Sequence, residues 1–217
     1  MLGRETAMAS SYWFNVMDYG ATGNGSTDDT TAIQTAINAV PASGGTVVFP
    51  AGTYKISSAL VVRSNLILQG VSDGSAVISQ SSTTANGLSG SDITRLTIQD
   101  LRIQGPASGS GKGIVLTRTS NPATVSLAFA RLTVRHFGGT GIDLSNPIVS
   151  TFDSVTSANN GNHGWDIRGV SGEPPGPAAP SSPATRTPSP TRDSASTPWP
   201  TAPSSAAPRT TAASATR

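Results

Sequence analysis

Residues 129–167 read FARLTVRHFGGTGIDLSNPIVSTFDSVTSANNGNHGWDI, and the stretch aligns with itself. Phe129, Leu132, Val134, Phe137, Gly141, Ile142 and Leu144 are each followed 23 positions later by Phe152, Val155, Ser157, Asn160, Gly164, Trp165 and Ile167. Upstream, Leu101 and Ile103 precede Leu132 and Val134 by 31 residues, and Gly113, Ile114 and Leu116 precede Gly141, Ile142 and Leu144 by 28. The loop GPASGSGK is three residues longer than its later equivalent and absorbs that difference. Short β-branched segments at recurring positions, separated by loops of variable length, define a β-solenoid in which equivalent apolar residues of successive coils stack into one core.

Outward from this repeat the same texture continues. TVVFPAGTYKI, ALVVRSNLILQG, SAVISQ, LTIQDLRIQG, GIVLTR, ARLTVRHF, GIDLS and GWDIRG read as strands bounded by Gly, Asn, Ser and Asp. One segment has helical spacing instead: Ala32, Ile33, Ala36, Ile37 and Val40. Thr27 is the expected N-cap, with Asp28 and Asp29 in the first turn and Pro41 and Gly44–Gly45 ending the helix. A single short helix with one apolar face needs a surface to cover.

The stretch VMDYGATGNGSTDDTTAIQTAINAVPASGGTVVFPAGTYKIS, over about residues 15–57, resembles the N-terminal module of the pectate-lyase-like superfamily. That module opens rhamnogalacturonase- and polygalacturonase-related proteins and many phage tail spikes. The resemblance implies an all-β, right-handed, single-stranded parallel β-helix whose N-terminal end is capped by the helix. It implies polysaccharide as partner, acted on by a lyase or a glycoside hydrolase, or bound without catalysis by a tail-spike-like homotrimer. An extracellular or virion-associated setting goes with either.

Composition divides the chain into an N-terminal segment 1–14, the β-helix 15–172 and a tail 173–217. From Glu173 onward there is no Leu, Ile, Val, Phe, Tyr or Met, Trp199 is the one large apolar side chain, and 11 of the 16 prolines lie here. Such a segment buries too little apolar surface to offset the entropy of ordering, so a disordered tail is expected. Two origins are open: a Pro/Ser/Thr-rich linker, or a reading-frame slip that truncates the solenoid. From Ala179 on, a shifted frame with consistent synonymous codons can read TFVTCYANAVTDAGFRL, which places a Phe 29 positions after Phe152 and Gly-Phe-Arg-Leu 29 after Gly164-Trp165-Asp166-Ile167.

Charge excludes one class of partner. Up to Gly172 there are 10 Lys and Arg against 10 Asp and Glu, and the formal net charge of +2 comes from Arg186, Arg192, Arg209 and Arg217 against Glu173 and Asp193. A neutral body without clustered cations is not a nucleic-acid surface. The chain has no cysteine and no apolar run long enough to span a membrane, and its first residues lack the apolar core of a signal peptide.

The chemistry-bearing residues are few. The resemblance to polygalacturonases calls for an Asn-x-Asp, a paired Asp-Asp, a Gly-His-Gly and an Arg-x-Lys, and the set is not intact. His163–Gly164 lacks the preceding Gly, and no Lys follows Arg168. No cleavage of polysaccharide by the chain as it stands is therefore expected. One constellation remains. Asp143 and Asp166 occupy the same repeat position between inward apolar neighbours, so both should project outward, about 4.8 Å apart along the solenoid. They are candidates for an acid–base pair, with His163 as a third catalytic candidate and Arg168 as a substrate-binding one. Outward strand positions are also polar simply because water meets them. No cofactor is expected; the resemblance implies Ca²⁺ as the ion such an acidic pair could hold.

Other features have structural readings. GNGSTDD lacks the Gly-Lys-Ser/Thr ending of a phosphate loop and the spacing of an EF-hand, and reads as turn plus cap. Asn159, Asn160 and Asn162 suit a coil turn, His136 sits alone beside a strand, and Tyr12, Trp13 and Phe14 are either packing for the cap or a sugar platform. The nucleotide sequence across residues 172–183 decides the origin of the tail: a slipped frame predicts that the alternative frame continues the Gly-apolar repeat, and a stop codon there would refute it.

Overall fold

The computed structural model describes residues 12–119 and 126–169. The expectations for residues 1–11 and for the tail lie outside these. The order of elements is β1 (Trp13–Asn15), a 3-10 turn (Val16–Tyr19), β2 (Asn24–Asp28), α1 (Thr30–Ala39), β3 (Gly45–Phe49), β4 (Gly52–Ile56), β5 (Leu60–Val61), β6 (Leu66–Gly70) and β7 (Ala76–Gln80). Then follow β8 (Leu88–Ser91), β9 (Leu96–Gln104), β10 (Ile114–Thr117), β11 (Leu127–Arg135), β12 (Ile142–Ser145), β13 (Thr151–Ala158) and β14 (Trp165–Arg168).

Every strand pairing is parallel, and each joins a strand to its equivalent in a neighbouring coil. One sheet runs β5-β8-β10-β12-β14. The other is bent. Its first wall carries β1, β3, β6 and the leading halves of β9, β11 and β13; its second wall carries β2, β4, β7 and the trailing halves. The bend falls at Asp100, Arg131 and Ser154, which adopt φ of 56°, 47° and 53° at the same step of successive coils. Arg131 and Asp100 form a two-pronged ion pair across that corner. The result is a single-stranded parallel β-helix, three strand segments to a coil.

The registers match the repeat read from the sequence. Phe129 pairs with Phe152 and Leu132 with Val155 at 23 residues; Leu101 pairs with Leu132 at 31, and Ile114 with Ile142 at 28. Inward residues therefore form columns. Leu60, Leu88, Ile114, Ile142 and Trp165 make one, and Leu68, Ile98, Phe129 and Phe152 another. Edge-to-face contacts of Phe152 with Phe129 and with Trp165, at centroid distances of 5.4 and 5.3 Å, join the two columns. The Gly before β8, β10 and β12 has a steric reason: a Cβ on Gly87 would lie 2.7 Å from the Gly113 carbonyl oxygen of the next coil.

The helix buries Ile33, Ala36 and Ile37 against β1, β5 and the 3-10 turn, as expected of a cap. It starts later than the sequence suggested. Thr27 and Asp28 belong to β2, and Asp29 is the residue before the helix, without a side-chain cap bond. Its carboxylate accepts instead from the Thr22 and Gly23 amides and the Thr22 hydroxyl, while Asp28 accepts from the Thr30 amide. Asp29 is itself buried, and the loop donors win it from the helix because an unmet buried carboxylate costs more than an exposed helix end. At ten residues α1 is too short to cross a membrane, and no other helix among the described residues does so.

Leu101→Ala removes a fully buried side chain stacked on Leu132 and is expected to cost about 2–5 kcal/mol in a urea titration, against under about 1.5 kcal/mol for Leu101→Met.

Candidate functional site

The outer face of the five-stranded sheet is a ladder of five aligned positions: Val61, Ser89, Val115, Asp143 and Asp166. Strand alternation sends these side chains away from the core column beside them. Toward the N-terminal coils the ladder is neutral and edges a groove of about 620 Å³, lined among others by Arg63, Ser64, Ser91 and Thr117. Arg63 stands in that lining with its Nε and Nη2 atoms buried and without an acceptor among the described residues. Buried guanidinium nitrogens left unpaired are costly unless a ligand or water meets them.

Toward the C-terminal coils the ladder becomes charged. Asp143 and Asp166 are stacked as expected, but their environments differ. Asp143 is only 2% exposed, because Lys112 from the preceding coil and Arg168 from the following one close over it. Lys112 Nζ donates to Oδ2 and Arg168 Nη2 to Oδ1. Arg168 Nε also lies 3.5 Å from Asp166 Oδ2, whose side chain is 35% exposed. Burial pushes the Asp143 carboxyl up; the hydrogen bonds and charges of Lys112 and Arg168 together outweigh it and hold the group below the ordinary carboxylate range. Arg168 is raised by the hydrogen bond and charge of Asp143. Asp143 is thus a fixed anion that positions two cations.

Of the four sequence candidates, the structure brings Asp143, Asp166 and Arg168 into one cluster. His163 is exposed at the turn before β14, at the repeat position that Thr140 and Lys112 hold in earlier coils. Both carboxylates sit at the expected outward positions, but the cross-coil cations that relieve like-charge stacking also cover Asp143. Calcium does not fit there: both Asp143 oxygens are committed to positive groups. Nor is there a cluster of three or more metal-ligating side chains among the described residues. Lys112 was missed because it sits alone among polar loop residues, and Arg63 because it is the one charge in the strand-like segment ALVVRSNLILQG. Lys112 was nevertheless legible, since it directly precedes Gly113 of the repeat, as His163 precedes Gly164.

The model of the family described as rhamnogalacturonase A/epimerase, pectate lyase-like, matches residues 13–106. The A-module of mannuronan C-5 epimerase AlgE4 from Azotobacter vinelandii superposes with a TM-score of 0.60 at 24% identity, over 71% of this chain and 53% of that one. The chain has the parallel β-helix fold of the pectate-lyase-like superfamily. Mannuronan C5-epimerase AlgE3 of Azotobacter vinelandii is 48% identical over 73 residues, which are 30% of this β-helix chain and 4% of that protein. A capsule KN3-specific depolymerase of Klebsiella phage KN3-1 is 29% identical over 193 residues, 74% of this chain and 24% of that one. The chain therefore spans a small part of the length of these curated relatives. Carbohydrate-active β-helices are its general type of homologue.

Asp143→Asn leaves Lys112 and Arg168 without their anion, and is expected to cost about 1–3 kcal/mol at pH 7. The folded-state value is depressed, so this stability is present above the ordinary carboxylate value of 3.8 and is lost as pH falls through the folded one. Urea midpoints of wild type and variant should converge under acid, whereas a constant gap down to the lowest pH would show that the ion cluster contributes nothing.

Proposed function

We propose that this chain binds an extended polysaccharide along the outer face of the five-stranded sheet, outside the cell or on a virion, and does not itself cleave it. The observation that supports the reading most is the unpaired, buried guanidinium edge of Arg63 in the groove beside that ladder. A chain laid along the solenoid axis meets Arg63 first, then Ser89 and the Ser91 and Thr117 hydroxyls of the groove, then the Lys112, Asp143, Arg168 and Asp166 cluster. Such a path steps by ~4.8 Å per rung, the spacing of parallel strands, with polar side chains at Ser89, Asp143 and Asp166 and apolar ones at Val61 and Val115. In this reading Arg168 and His163 meet the polymer, Asp166 accepts from its hydroxyls, and Asp143 keeps Lys112 and Arg168 in place. Catalytic proton transfer by Asp143 is disfavoured because its two oxygens are occupied.

A second reading differs in setting. The match to the phage capsule depolymerase over 74% of the chain favours a virion-borne, receptor-binding β-helix, and such a protein would assemble as a homotrimer. Trimers in light scattering of the purified chain would support it; monomers at micromolar concentration would count against it.

Arg63→Ala is expected to weaken glycan binding about tenfold or more, the range of one charge-assisted hydrogen bond, in calorimetric titration of the full chain with bacterial capsule and uronate polysaccharides. Unchanged affinity would remove the groove from the account, and release of unsaturated or reducing ends by the purified chain would overturn binding without cleavage.

A further inference from the structure

A second outer face has the makings of a site that the ladder does not use. On the first wall of the bent sheet, Trp13, Thr46, Ile67, Thr97 and Ala128 form an aligned outward column. Their strand neighbours Val47, Leu68, Ile98 and Phe129 are buried in the core. A groove of about 550 Å³ lies along this column, with Tyr12, Asn65 and Arg95 at its sides. It is on a different face from Arg63, Lys112 and Arg168.

The rim of the groove is built rather than incidental. Asn65 and Arg95 stack on successive coils with φ of 60° and 56°. The Asn65 side chain donates to the Ala42 carbonyl at 2.9 Å and accepts from Arg95 Nε. The turn that Asn65 holds passes through Gly44, at φ 108°, where a Cβ would meet the Asn65 carbonyl oxygen at 2.7 Å. Only glycine permits that close approach. Among the described residues Arg95 is thereby anchored through Nε alone, and no carboxylate lines the groove. At the N-terminal end Tyr12 is 58% exposed while its carbonyl accepts from the Thr46 amide at 2.7 Å, so an aromatic side chain is tethered at the groove's mouth.

The occupant follows from this chemistry. One uncompensated guanidinium calls for an anion. An exposed aromatic side chain offers a flat apolar surface with a polar tip, and the Thr46 and Thr97 hydroxyls offer hydrogen bonds on rigid strands. Among the described residues the floor has a single large aliphatic side chain, Ile67, too little apolar area for a stable protein interface. We propose that this groove is a second glycan site, which binds a uronic-acid-containing oligosaccharide with a carboxylate on Arg95 and a sugar ring against Tyr12. It rests on the reading of the chain as a polysaccharide binder and adds a separate face with its own determinants.

The test is calorimetric titration of the full chain with galacturonate oligosaccharides and with their carboxyl-reduced counterparts, accompanied by thermal melts to check folding. Two classes of site are expected. Arg95→Gln and Tyr12→Ala should each weaken one class about tenfold or more, Arg95→Lys should weaken it less, and Arg63→Ala should weaken the other class alone. Carboxyl-reduced oligosaccharides should lose the class that depends on Arg95. A single class abolished by Arg63→Ala and untouched at Arg95 and Tyr12 overturns this inference and leaves the proposed function standing. Equal binding of reduced and acidic oligosaccharides at the Tyr12 face overturns the assignment to Arg95. Absence of any glycan binding overturns both.

Discussion

Coil-to-coil register governs everything else in this molecule. Parallel strands fix each residue opposite one residue of the next coil, and a slip by one position would turn the whole apolar column outward. The columns through Leu60, Leu88, Ile114 and Ile142 and through Leu68, Ile98 and Phe129 hold that register, because their side chains fit only when stacked. The same constraint places Asp143 on Asp166 and draws Lys112 and Arg168 over it from two different coils. The geometry of the candidate site is thus a by-product of core packing, produced by residues that face the other way.

The stacked carboxylates show how a solenoid handles a cost that its own repetition creates. Identical positions repeat at about 4.8 Å, so any acidic position that repeats sets like charges side by side. Here the relief comes from Arg168, which reaches Asp143 and Asp166 together, and from Lys112. At the opposite corner Arg131 and Asp100 use complementary charges at one repeat position, so the stack is attractive without outside help.

How far the fold was legible follows from the kind of signal each element carries. Phe129 and Phe152, or Ile142 and Trp165, are large, apolar and spaced alike, so their stacking could be read directly. Strand β8 was missed because LSGS offers one large apolar residue, Leu88, and is a strand only by virtue of pairing with β5 and β10. The helix start was misplaced by a competition that local patterns do not encode: the loop amides of Thr22 and Gly23 claim Asp29. For the site, alignment of Asp143 with Asp166 was legible, but the burial of Asp143 was not, since it depends on Lys112, 31 residues away in sequence. Arg63 carried no sequence signal at all; Arg102 and Arg135 also have a buried, unpaired Nε, and it is the place of Arg63 in the folded groove that distinguishes it.

The central claim is that the outer ladder of the five-stranded sheet is where a polysaccharide lies. Hydrogen–deuterium exchange of the full chain, with and without a bound acidic polysaccharide, reads this directly. The account predicts slowed exchange at the turns flanking β5, β8, β10, β12 and β14, around Arg63, Lys112 and His163, with the corner at Asp100 and Arg131 unchanged. Protection confined to that corner, or absent from the five-stranded sheet while the polymer is bound, would contradict it.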